Sequence, residues 1–451
     1  MKKNLFTLEI LMFTLVFTFL AGCSNSDDDT GNGGTIGGST LAAKLQALKE
    51  NAVSDTEYRF ELTSNESLEA QDLSYGYGKE NITIRLTSSG GEKIISLAGK
   101  GSLFTIDGCG MSGNHITLIL ENGITLQGSA SNNMPLIFVC ADGTLIMNDG
   151  AKISGNNNNG GRSWTGGGVY VRYRANFIME GGEISGNTSD YDGGGVYADG
   201  AFTMKGGKIS GNTASVSSGG VAGSGGGVYA RSDNDGIFTM TGGEISNNTA
   251  SSNGGGVYVH SRGYFTMEGG EIFNNTAAQR GGGAYVDYDF TMEGGKIFNN
   301  VAASGGGGVY MTREFKMIDG EITGNTTASG DGGGVYAFSS FRMTNGKISS
   351  NAASNGNGGG VCAVNGFTMI NGEISGNTAS LGGGVYSNNG AFSFSKTGGT
   401  IYGYTEGDSN SNKATEGNAV YTWEGVRGKH LRETTAGPGE NLSGIDVGWE
   451  N

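Results

Sequence analysis

Histidine, cysteine and proline are scarce in this chain: 3, 4 and 2 residues among 451. Three histidines leave little for imidazole chemistry, and His115, His260 and His430 each lack a catalytic-looking neighbourhood. Phosphate-binding loops, His-Glu-x-x-His and glycine-rich calcium nonapeptides are all missing. No cofactor and no metal ligand set is expected. Basic residues are also few, 28 against 43 acidic ones, for a net charge of -15. Nucleic-acid binding rests on clustered Lys and Arg that neutralise phosphates, so nucleic acid is not an expected partner. Beyond Cys23, the cysteines are Cys109, Cys140 and Cys362. Aligning Leu103–Ile106 with Leu136–Val139 puts Cys109 and Cys140 out of phase, so the expectation is that no disulfide supports the fold.

Glycine is abundant instead, at 88 residues, without the strict triplet of collagen. Val, Ile, Phe and Met return between the glycines at fixed phase, which excludes a low-complexity disordered chain. One unit reads Gly-Gly-Gly-Val169-Tyr170, then Phe177-Ile178-Met179, then Glu183-Ile184-Ser185-Gly186-Asn187. Its Val position recurs at Val196, Val228, Val257, Ala284, Val309, Val335, Val361 and Val385. Ile is the best ruler, from Ile153 to Ile401, with a shortest interval of 25 residues. A self-similar period of this length marks a solenoid, in which no unit buries its apolar face alone. The expected fold is all-β: a right-handed parallel β-helix of about 12 coils of roughly 25–27 residues, three short strands and three bends to each.

Stacking identical positions makes ladders. Val, Phe, Met and Ile point inward, while Asn187 through Asn377 form an amide ladder at one bend. Tyr170 through Tyr386 form an outward aromatic column broken by Cys362. Lys and Glu alternate at most steps before Ile, which helps set register. Each ladder reads as structure rather than chemistry.

The N-terminus is organised differently. Residues 1–22 hold Lys2 and Lys3 and an apolar run, Ile10–Leu20, too short to span a bilayer. Residues 23–39 form a polar Gly/Ser/Asp tether, and 40–57 hold a short amphipathic helix with Leu41, Leu45 and Leu48 on one face and Ser39 or Thr40 as N-cap. That helix is the natural cap of the first coil. The β-helix is assigned to 58–425, and 426–451 to a C-terminal cap or tail.

Leu20-Ala21-Gly22-Cys23 resembles the bacterial lipobox. The resemblance implies that 1–22 is a lipoprotein signal peptide and that Cys23 carries the acyl chains that bind the protein to a membrane. Ser24, rather than Asp, implies retention in the outer membrane by that family's sorting pattern, with the protein facing the cell surface or the periplasm. The Leu41–Gln46 helix, Ile124–Gly128 and the Gly-Gly-Gly-Val-Tyr…Phe-Thr-Met…Glu-Ile-Ser-Gly-Asn repeats resemble a group of treponeme repeat lipoproteins over nearly the whole chain. More distantly, the repeats are similar to those of chlamydial polymorphic outer-membrane adhesins. These resemblances imply surface display and adhesion to a host matrix protein or glycan, by a protein expected to be a monomer.

Function is sought where the repeat varies. The segment joining Val-Tyr to Phe carries Arg172-Tyr173-Arg174, Arg231 with Asp233 and Asp235, His260 with Arg262, and Asp287-Tyr288-Asp289. Insertions gather on one face of a solenoid, often the binding face. These residues are the candidate contacts of an interaction protein. The alternatives are a polysaccharide lyase or hydrolase of the same fold, or a passive, antigenically variable coat. Carboxylates suited to sugar hydrolysis lie at scattered loop positions, which argues against the enzyme.

Overall fold

The computed structural model describes residues 36–423, except 77, 110–112, 162–164, 218, 232–236, 261, 389–393 and 405–406, and the backbone of 430–431 and 442–443. Among these residues there is one helix, Leu41–Asn51. Thr40 caps it, its hydroxyl accepting from the Ala43 N–H at 3.2 Å. The Leu41 N–H donates to the Glu66 carboxylate at 2.9 Å, which ties the cap to the first coil. Leu41, Leu45 and Leu48 are buried and close the apolar end of the solenoid.

Everything else is a right-handed parallel β-helix. A Phe–Met sheet of 13 strands runs from Glu57–Leu62 to Phe394–Lys396. An Ile sheet begins at Glu66–Leu68, and a Tyr sheet at Gln71–Leu73. Each of these two has 14 strands, the last one antiparallel. At about 4.8 Å per rung, 13 rungs make a rod of roughly 60 Å.

Equivalent residues stack on one another: Phe265, Phe290 and Phe315 share a column, as do Ile272, Ile297 and Ile322. The Phe rings from Phe177 to Phe367 lie 4.6–5.0 Å apart and are almost wholly buried. Each such burial contributes about 1.5–3 kcal/mol. A single continuous core results, running from the helix to Val420.

The coil has four strands where the sequence suggested three. The dipeptide after each ladder Asn, such as Thr276–Ala277, forms a fourth sheet of eight two-residue strands, with Ala inward. Two residues are too few for an alternating pattern to be recognised.

The amide ladder is present and fully bonded. Asn275 donates from Nδ2 to Asn300 Oδ1 at 3.0 Å, and Asn300 in turn to Asn325 at 2.9 Å. The second Nδ2 hydrogen goes to an Ile carbonyl, as from Asn300 to Ile272 at 2.9 Å. Every hydrogen-bonding group of these buried amides is thereby used.

Two expectations need correction. Cys109 and Cys140 are joined in a disulfide, their Cα atoms 5.2 Å apart. The strands pair as aligned, Ile106 on Val139. The connection from Ile106 to Thr117 is longer than its counterpart from Val139 to Thr144, so a phase argument drawn from the strands does not extend to Cys109. Cys362 is a buried free thiol that replaces a Tyr in the column, as read. The tyrosines do face outward from their strand, yet most are less than a tenth exposed. Flanking turns cover them, and they form a small apolar cluster separate from the main core.

Candidate interaction surface

The tyrosine faces are used by each other. Tyr197, Tyr229, Tyr258, Tyr285 and Tyr310 stack at 4.8–5.0 Å with nearly parallel rings. Burial, with Asp287 alongside, raises the Tyr258 phenol well above its ordinary range, and Tyr258 donates to Asp287 at 3.0 Å. A column packed in this way offers no free ring face to a ligand.

The Lys/Glu edge pairs across rungs, with Lys296–Glu321 at 3.2 Å and Lys347–Glu373 at 3.0 Å. These pairs are half exposed and contribute little to stability. They floor a wide polar groove of about 610 Å³.

The corner between the Tyr and Phe–Met sheets is different. Its turns are the segments that join Val-Tyr to Phe, so candidate loops far apart in sequence form one line along the rod. Tyr173 stands 44% exposed beside Arg174, whose guanidinium pairs with Asp142 at 2.7 Å. Arg172 lies over the disulfide turn and donates to the Cys109 carbonyl at 3.4 Å. Arg231 and His260 end adjacent strands and sit opposite each other. Asp233 and Asp235 lie outside the described residues, as does Cys23. Arg262 is exposed, in left-handed backbone.

Farther along, Tyr288 meets the edge of Tyr264 at 5.5 Å, and the Arg313 guanidinium lies 4.1 Å from the centre of the Tyr288 ring. Asp289 is paired with Tyr264 on one side and Glu314 on the other. Phe338 follows one rung on and is 49% exposed. Tyr264, Tyr288, Arg313 and Phe338 thus occupy four consecutive rungs. Among the described residues the exposed aromatic side chains are Tyr173, Tyr264, Phe338 and Tyr404, and the first three lie on this corner.

Tyr264 and Phe338 were not among the residues singled out from the sequence. For Tyr264 the signal is an aromatic at an outward position next to the recurring Phe, where other rungs carry Ala201 or Asp289; Phe338 lies in the turn after Ala337, three residues before Phe341, and has no such signal. Among the described residues no three His, Cys, Asp or Glu side chains converge to hold a metal, and no helix is long and apolar enough to cross a membrane. No family model, curated protein or solved structure matches this chain.

Proposed function

We propose that this chain is a lipid-anchored outer-membrane protein displayed at the cell surface, whose solenoid holds an adhesive corner toward a host matrix protein. One observation carries the reading: exposed aromatics gather on one corner of a rod whose other aromatics are mostly enclosed. Tyr and Arg dominate the energetic centres of protein interfaces, because they bury large areas at small entropic cost. Tyr288 held between Tyr264 and Arg313 is pre-ordered for that role. The acidic balance keeps the rod soluble and disfavours polyanionic glycans.

The test is a binding screen of the purified solenoid against collagen, fibronectin and laminin. Tyr288→Ala and Arg313→Ala are each expected to weaken the interaction about tenfold or more, as loss of an interface anchor does. Charge reversal at Lys296 and Glu321, on the opposite edge, should leave it intact. Equal binding by all these variants would remove the corner from consideration, and binding to glycans alone would replace the matrix protein as partner.

The anchor rests on Leu20-Ala21-Gly22-Cys23 after the apolar run. Several acyl chains hold a protein on a bilayer where one does not. Cys23→Ala is expected to move the protein from the membrane fraction to the soluble or precursor fraction and to abolish radiolabelled palmitate incorporation. Palmitate labelling that persists in Cys23→Ala would refute lipidation at this residue.

A further inference from the structure

The N-terminal rungs of the same corner carry a chemistry unlike that of the aromatic patch. Two residues before each Phe–Met strand, four successive rungs present Asn81, His115, Asp142 and Arg174. All four have left-handed backbone, with φ of 56°, 53°, 69° and 66°. Histidine and arginine occupy that region only where the surroundings hold them there. The hold is visible. The buried Asp107 carboxylate accepts from the N–H of Asn114 at 3.1 Å and of His115 at 3.0 Å. Asn114 donates in turn to the Tyr75 carbonyl at 2.6 Å. The Cys109–Cys140 disulfide ties the turn of His115 to that of Asp142, and Asp142 is paired with Arg174. These side chains, with strand-opening threonines such as Thr117 and Thr144, line a cleft of about 330 Å³.

The lining is hydroxyl, amide, imidazole and one closed ion pair. The two charges neutralise each other, so neither an anion nor a cation finds an uncompensated opposite charge in the cleft, while Arg174 keeps N–H groups free to donate. A neutral polyol fits both, since each of its hydroxyls donates and accepts at once: toward Asp142 as donor, toward Arg174 and the amides as acceptor. Rungs about 4.8 Å apart are close to the length of one pyranose in a chain, so successive sugars can lie against successive rungs. The geometry points to a binding site for a neutral oligosaccharide running along the solenoid axis over His115, Asp142 and Arg174. With Asp142 the only carboxylate lining the cleft, the site binds and does not hydrolyse, which takes a pair of carboxylates. It stands independently of the aromatic corner and of any protein partner.

Titration of the full chain with cellohexaose, maltohexaose, chitohexaose and mannohexaose tests it, with hexagalacturonate as the charged comparison. Asn is the natural replacement in left-handed backbone, so Asp142→Asn and His115→Asn keep the turns. At least one neutral hexasaccharide is expected to bind, and each variant to weaken it about tenfold or more. Thr144→Val, which keeps the shape of the strand residue, should weaken it severalfold; Tyr288→Ala should not change it. Failure of all four neutral probes, tighter binding of hexagalacturonate, or full affinity in both Asn variants would overturn the assignment.

Discussion

Gly282→Ala is expected to destabilise the solenoid by about 3 kcal/mol or more, read as a fall in the guanidinium midpoint of the rungs around it. A Cβ built at Gly282 would lie 2.5 Å from the Gly307 carbonyl oxygen and 2.6 Å from the carbonyl of Val301. Both are main chain of the next rung, so relief requires the coils to part, and they are held at strand spacing by the ladders on every side. Overpacking against a side chain is relieved by rotation; here there is nothing to rotate. The comparison is Gly186→Asn. Gly186 has φ 63° and open space around it, and sister rungs already place Asn247, Asn274 and Asn299 there at φ 54–57°. That change should fall within about 0.5 kcal/mol. If Gly282→Ala proved as mild, the close approach of rungs at the glycine triplet would not be what fixes their spacing.

Asn300→Ala should cost about 3–5 kcal/mol in the same measurement, because two or more buried polar groups lose their partners. Asn275 would lose the acceptor for both its N–H and its Nδ2, each at 3.0 Å, and the Ile272 carbonyl and Asn325 Oδ1 would each lose a donor. Water has no route to the site, since Asn275, Asn300 and Asn325 are fully buried. Asn371→Ala is the counterpart on the surface, where an amide contact of 3.3 Å is exposed, and it should be nearly neutral. Equal effects of the two would show that ladder amides contribute no more than surface ones.

The fold was legible because stacking turns sequence identity into contact. A Phe that recurs at one phase meets another Phe, and so the spacing of Phe265, Phe290 and Phe315 already declares them neighbours. The same logic named the Asn ladder. It failed where the chain departs from the repeat. The connection between Ile106 and Thr117 is longer than the one between Val139 and Thr144, and with that mismatch went the disulfide and the seat of His115. The fourth strand was too short to show a period. The corner loops could be located because they vary, but their content could not be ranked. Tyr288 acquires its setting from Tyr264 and Arg313, on rungs before and after, and no motif links the three. Asp142 and Arg174 likewise meet because their four-residue turns, 140–143 and 172–175, stack in register between paired strands, and no local motif announces that pairing.

Register identity also sets what kind of heritable change the protein tolerates. An in-frame loss of residues 276–300 would bring Asn275 against Asn325, Phe265 against Phe315 and Tyr258 against Tyr310, so the amide and aromatic ladders would close again over the gap, while on the exposed charged edge Glu271 would face Glu321. The rod would shorten by one rung, about 4.8 Å. Tyr288 would leave with the deleted segment, and Tyr264 would face Arg313 directly. Recombination between near-identical repeats can therefore rewrite what the surface displays while the scaffold beneath it stays foldable.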